Sequence, residues 1–278
     1  MSVQKQSSET AQATLFLRAL SCYEPDERIK GRDNFARLFL PDERRTKIGN
    51  ENYRRAAFQK IKMGTYNYVI ARTAWFDRVF TEALENETPQ IVILGAGYDA
   101  RAYRYKDINR STIIFEVDAL YTQEEKKNIL RMNNIDTNDV RFVTADFETD
   151  DLTEILSGNG FDETKRSLFL WEGVTLYLTR EAVSNTLTSV ASVSEAGSML
   201  ALDYLNFDTA DGKYVKRDEI IQFGMNKAEM AEFAGKYGFT AVENLDPYEI
   251  EGKFLLRSNG EPFGDTNRTM NFIKLRRD

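Results

Sequence analysis

The 278 residues carry 37 basic against 44 acidic side chains, a formal net charge of −7, with 42% hydrophobic and 29% charged residues. This is the composition of a folded domain rather than a disordered chain, and its acidic balance argues against a nucleic-acid partner. Cys22 is the single cysteine and histidine is absent, which excludes internal disulfides, cysteine-based zinc clusters, His-containing triads and HExxH sites.

The opening MSVQKQSSETAQ has no apolar signal core. No apolar run nears the ~18 residues of a membrane span, so a cytoplasmic protein with no membrane partner is expected. Residues 1–60 lack strand character: Thr14 to Tyr23 reads as a helix, and Asp42 to Lys62 as a charged helix with Phe58 and Ile61 on its apolar side. Met63 to Leu84 reads as a further helix with an apolar stripe of Tyr68, Ile70, Trp75, Phe76, Val79 and Phe80. Glu85 to Pro89 signals a turn. Strands are then expected at 91–94, 112–117, 140–144, 166–171 and 198–204, with helices near 121–133, 150–157 and 180–193. Such alternation predicts a mostly parallel sheet with helices on both faces. A helix at 226–237 follows, with Asn226 and Glu229 forming a capping-box pattern and Gly238 as its stop. Strands at 239–245 and 269–275 complete the chain. One Rossmann-like α/β domain is expected, with a helical cap over 1–64, a core over 65–278 and an additional cap segment near 204–225.

The segment Ile91-Val92-Ile93-Leu94-Gly95-Ala96-Gly97 has the form of a buried parallel strand ending in a tight glycine turn. Without Cβ atoms, such a turn lets backbone approach a nucleotide closely. The next strand ends in Asp118, 21 positions after Gly97. That separation suits a strand-end carboxylate that accepts both hydroxyls of a ribose. Glu116 lies two residues earlier, either supporting Asp118 or simply belonging to the strand.

Gly95-x-Gly97-x-x-Ala100 also fits the dinucleotide pattern, so a nicotinamide-dependent oxidoreductase is a rival. Hydride transfer commonly uses a His or a Tyr-x-x-x-Lys pair, and none of the 13 tyrosines has a lysine four residues later. S-adenosylmethionine suits the motif better. Its sulfonium needs no proton shuttle, and the polar run Tyr98-Asp99-Ala100-Arg101 replaces the apolar helix start found beneath a pyrophosphate.

LGAGYDARAYR, FEVD and LFLWEGVTLYLT, in that order, resemble the leucine carboxyl methyltransferase-like family of O-methyltransferases, which includes bacterial polyketide O-methyltransferases. The likeness runs from about Tyr68 to Thr179, with a weaker echo in RIKGRDNFARLF. It implies a class I methyltransferase fold that binds S-adenosyl-L-methionine and methylates a small molecule, possible acceptors including a polyketide or other secondary metabolite. By resemblance, Arg72 pairs with the cofactor's methionine carboxylate, for which a planar fork is suited. Gly95 and Gly97 admit the methionine portion, and Asp99 either orients the loop or accepts the ammonium. Ala100 stands where the family often has Thr. Asp118 accepts the ribose hydroxyls, Asp146 accepts the adenine amino group, and Phe147 (commonly Leu in the family) offers its backbone N–H and a packing ring. Glu172 touches the methionine end.

Methyl transfer from a sulfonium is an in-line displacement, so positioning supplies most of the catalysis. A carboxylate acceptor is already ionised at pH 7, whereas a phenol, with a pKa of about 10, gains from a base. The lack of histidine therefore tilts the expectation towards carboxyl methylation, with hydroxyl acceptors still open and no catalytic base assigned. The acceptor pocket is expected between the N-terminal helices and segment 204–225, with Tyr204 as a wall residue. A non-catalytic binding module on the same fold is the other alternative.

Overall fold

The apolar run before the glycines is buried along its whole length as strand β1 (Gln90–Leu94), which requires neighbours on both edges and layers on both faces. A computed structural model describes residues 9–147, 150–206, 214–216 and 219–278. Strand β2 (Ile113–Asp118) pairs parallel with β1 on one side and with β3 (Val140–Thr144) beyond it. On the other side β1 pairs with β4 (Ser167–Trp171), which pairs with β5 (Met199–Leu205), both in parallel. Strand β9 (Met270–Arg277), antiparallel to β5, and then β8 (Phe239–Leu245), antiparallel to β9 and so running with the other strands, finish a seven-stranded sheet of order β3-β2-β1-β4-β5-β9-β8. The strand order reverses direction between β1 and β4, the point at which open α/β sheets bind ligands.

Period-two alternation divides the sheet into two apolar layers. Ile91, Ile93, Ile114, Leu168, Leu170 and Ala201 face α1 (Glu9–Ser21), α4 (Met63–Glu85) and α5 (Arg101–Arg104). The carboxyl half of α6 (Leu120–Met132) adds Leu130 to the same layer. Val92, Leu94, Phe115, Val117, Phe169 and Leu202 face α7 (Leu152–Gly158), α8 (Arg180–Ser192) and α9 (Lys227–Gly235). The alternating pattern thus produced the two-faced architecture expected from it.

The structure departs from the sequence reading in three places. The charged helix expected over 42–62 is two short ones, α2 (Asp42–Lys47) and α3 (Glu51–Phe58). Asn50 separates them by capping α3, its side chain accepting from the Tyr53 N–H at 3.2 Å. A helix not expected, α10 (Pro247–Phe254), begins with a capping box of Asp246 and Glu249 and a proline at its first position. The segment near 204–225 is not wholly a cap. Leu205 completes β5, and Phe223 and Met225 are buried in the α7–α9 layer, with the Met225 N–H on the Leu205 carbonyl. Between them lies a two-stranded ribbon, β6 (Tyr214–Lys216) and β7 (Glu219–Ile221); positions 207–213 and 217–218 of the expected cap lie outside the described residues.

Candidate active site

The Gly95 and Gly97 N–H groups turn back onto β2. Gly95 (φ +67°) and Ala96 both donate to the Val117 carbonyl, at 2.9 and 3.0 Å. Gly97 (φ +47°) donates to Asp118 Oδ2, and Ala119 donates to Asp118 Oδ1 at 2.7 Å. A side chain at Gly95 would sit 2.6 Å from Val174 Cγ2, so glycine is needed there for space as well as conformation. Each Asp118 oxygen accepts one backbone N–H and keeps lone-pair capacity for another donor. Burial raises the Asp118 carboxyl above the usual aspartate range, against the lowering effect of those two N–H groups.

Beside this turn runs a chain of alternating charges. On α4, Arg72 forms ion pairs with Glu172 Oε1 through Nε at 2.9 Å and with Asp203 Oδ2 through Nη1 at 3.3 Å. Asp203, fully buried on β5, also accepts the Tyr68 hydroxyl and the Gly173 N–H. Arg101 takes the other Glu172 oxygen at 2.8 Å, pairs with Asp99, and reaches Asp77 of α4 at 2.8 Å. Arg104 holds Asp77 through both carboxylate oxygens. Farther out, Arg18 of α1 pairs with Asp33 at 3.1 Å and donates to the Tyr98 carbonyl at 2.7 Å, tying the N-terminal helix to the glycine loop. Burial would raise the Asp99 carboxyl, but the Arg101 and Lys126 charges overcome it and hold it below the usual range. Both Asp99 oxygens are engaged by Arg101, one by its N–H and one by its guanidinium, which supports loop orientation over ammonium binding.

The structure therefore brings Arg72, Gly95, Gly97, Asp99, Asp118 and Glu172 to the carboxyl ends of β1, β2 and β4. Asp146 follows β3, next in the sheet to Asp118, whose carbonyl accepts the Ala145 N–H at 3.0 Å. Its loop is closed by the Asp146 N–H on Asp150 Oδ2 at 2.8 Å, and Phe147 packs half-buried on the α7–α9 layer. Glu116 does not adjoin this edge: it is buried against Lys126 at 2.7 Å and the Tyr103 hydroxyl at 3.0 Å, and so belongs to the strand's packing.

Tyr204 was expected as a wall of the acceptor pocket. It is fully buried, donates to Asn244 Oδ1 at 2.8 Å and accepts from Asn271 Nδ2 at 3.0 Å, on the sheet face away from Arg72. Its neighbour Asp203, one residue earlier and therefore on the opposite face, is the β5 residue that reaches the site. Two clefts, of about 210 and 400 Å³, lie at the amino ends of the strands around Asn109–Ile113 and Thr88–Pro89, remote from the glycine turn.

A glycine turn, a strand-end carboxylate and a switch point between β1 and β4 define a Rossmann-like nucleoside-binding α/β protein. Residues 11–191 match the leucine carboxyl methyltransferase family, and the chain belongs to that family. Its sheet, with one antiparallel strand inserted after β5, is the class I methyltransferase arrangement. S-adenosyl-L-methionine is the family's cofactor. A Mycobacterium sp. (strain JLS) relative is 32% identical over 188 residues, 61% of this chain and 60% of its own. A Mycobacterium avium (strain 104) relative is 36% identical over 137 residues, 49% and 45% respectively. YktD of Bacillus subtilis (strain 168) is 29% identical over 198 residues, 66% and 65%. All three bear the name S-adenosyl-L-methionine-dependent methyltransferase provisionally, and the chain spans less than two thirds of the length of each. Among solved structures, the magnesium protoporphyrin IX methyltransferase of Synechocystis PCC 6803 has a TM-score of 0.48 at 12% identity, covering 76% of this chain and 86% of its own. At that level the likeness bears on neither acceptor nor mechanism.

The residues present fit the cofactor. A zwitterionic amino-acid head needs a cationic fork and a carboxylate side by side, which Arg72 and Glu172 supply at the switch point. Arg72 commits Nε and Nη1 to Glu172 and Asp203, and among the described residues Nη2 makes no ion pair.

Proposed function

We propose that this chain is an S-adenosyl-L-methionine-dependent O-methyltransferase that methylates a carboxylate or hydroxyl of a small molecule in the cytoplasm. The observation that carries the reading is the paired Arg72 and Glu172 beside a glycine turn whose Gly97 N–H fixes Asp118. When bound, the cofactor supplies an electrophilic methyl group on a sulfonium. Arg72 holds the methionine carboxylate, Glu172 the ammonium side, Asp118 the two ribose hydroxyls, and Asp146 with Phe147 the adenine. Gly95 and Gly97 keep side-chain bulk out of the methionine path, and Asp99 fixes the loop through Arg101.

With no histidine in the chain, a carboxylate acceptor, ionised at neutral pH, asks least of the protein. Tyr68 is no base for a hydroxyl acceptor: burial, and then the Asp203 charge, push its phenol well above the usual value. Domain-wise, we propose a single methyltransferase unit with residues 1–64 as cap. The test is calorimetric titration with S-adenosylhomocysteine, NADH and NADPH in parallel. Micromolar binding of the first alone supports the reading, and binding of a nicotinamide nucleotide alone replaces it with an oxidoreductase.

A further inference from the structure

We infer that Arg101 is a positioning residue for the methionine half of the cofactor, acting through Glu172 rather than by contact. The inference rests on the methyltransferase reading above. Arg101 is the first residue of the four-residue α5 and is 2% exposed. Its guanidinium lies 5.5 Å over the Phe76 ring and gathers carboxylates from three elements: Asp77 on α4, Asp99 in the glycine loop and Glu172 after β4. Burying a guanidinium is tolerated only when its donors are matched, and three carboxylates match them.

The two arginines at Glu172 differ in their freedom. Arg72 holds Oε1 and Arg101 holds Oε2. Arg72 also carries Nη2, which is free of ion pairs among the described residues, so its guanidinium can engage a ligand carboxylate. Arg101 is anchored at Asp77 and Asp99 and stays behind Glu172. If Arg101 were absent, Glu172 would swing wholly onto Arg72 and occupy the fork the ligand needs. Asp118, by contrast, is oriented directly by the Gly97 and Ala119 N–H groups and pairs with no side chain of this charge chain. Arg101 should therefore govern chiefly the affinity for the amino-acid tail, reaching the nucleoside half only at one remove, through Asp99 and the glycine loop.

The test compares calorimetric affinities of wild type and Arg101→Lys for S-adenosylhomocysteine and for 5′-methylthioadenosine, which has the nucleoside and sulfur but no amino-acid tail. Lysine keeps the charge, yet a single ammonium cannot span three carboxylates as the planar fork does. The expected result is a loss of at least tenfold for S-adenosylhomocysteine with 5′-methylthioadenosine within twofold of wild type. Equal weakening of both ligands would assign Arg101 a merely structural role and overturn the inference, as would unchanged affinity for S-adenosylhomocysteine. If Arg101→Lys does not fold, Asp77→Asn weakens the far anchor while Arg104 still holds that position. It should lose about threefold for S-adenosylhomocysteine alone, and any other pattern overturns the inference. Failure of wild type to bind S-adenosylhomocysteine would instead remove the methyltransferase reading itself.

Discussion

The two faces of the sheet bury their strands in opposite chemical ways. Beneath α7, α8 and α9 the layer is apolar, with Val92, Leu94, Phe115, Phe169 and Leu202 fully buried. The Tyr204 hydroxyl there is satisfied by Asn244 and Asn271. Beneath α1, α4 and α5 a similar apolar layer ends, at the carboxyl edge, in Arg72, Arg101, Asp99, Asp203 and Glu172, tied in one chain of ion pairs. Buried pairs of this kind often contribute little net stability compared with apolar packing, because desolvation offsets their attraction. Their concentration on one face, at the strand switch point, is what a charged ligand head would require. The apolar face holds the fold, and the charged edge is where the proposed function seats the ligand head.

That contrast can be broken most forcefully at Arg72. Arg72→Ala leaves Asp203 and Glu172 buried with less countercharge, and should cost about 3–5 kcal/mol in urea unfolding. It should also abolish S-adenosylhomocysteine binding by calorimetry; a mutant that kept both would show the charged edge to be ornamental. Asp118→Ala should weaken that ligand at least tenfold, or about 1.4 kcal/mol, while circular dichroism stays native. Unchanged affinity in the folded mutant would remove Asp118 from the ribose.

The pH dependence sharpens the same point. Two ribose hydroxyls donate to the ionised form of Asp118, whose folded pKa burial has raised. Affinity should therefore hold above that raised pKa and fall as pH drops through it, at a pH above the ordinary value of about 3.9. Stability responds with the opposite sign for this group. The folded state binds the proton more tightly, so Asp118 stabilises the fold as pH falls from its folded to its unfolded pKa. Calorimetric titrations over a pH series separate the two, and a fall-off centred at or below 3.9 would contradict the assignment. The smallest effect belongs to the apolar face. Tyr204→Phe loses two hydrogen bonds and should cost about 1 kcal/mol of stability, read from thermal unfolding, with ligand affinity unchanged.

What the sequence made legible follows from range. The β1 run, the glycine turn and Asp118 form a local pattern over about thirty positions, and the structure brings them together. The Asn226–Glu229 capping box was legible too, because it spans four residues and forms as read. The Asn50 cap and the Asp246–Glu249 box carried the same type of signal, but the helices they start are only eight residues long, too short for a clear periodicity. Asp203 gave no signal beside Tyr204 in the sequence, although in a strand one residue is the opposite face, and it is Asp203 that pairs with Arg72. Arg101, Asp77 and Asp203 gave no local signal at all. Apart from the adjacent Asp99–Arg101 pair, the pairings Arg101–Asp77 and Arg72–Asp203 join positions 24 and 131 residues apart, and only the packing of α4 against the strand ends makes them neighbours.

The measurement that tests the account most directly is a crystal structure with S-adenosylhomocysteine bound. The account predicts its carboxylate on Arg72, its ribose hydroxyls on Asp118 at about 2.5–2.7 Å, and its adenine beside Asp146 and Phe147. A ligand seated elsewhere, or one whose amino-acid tail ignores Arg72 and Glu172, would contradict it.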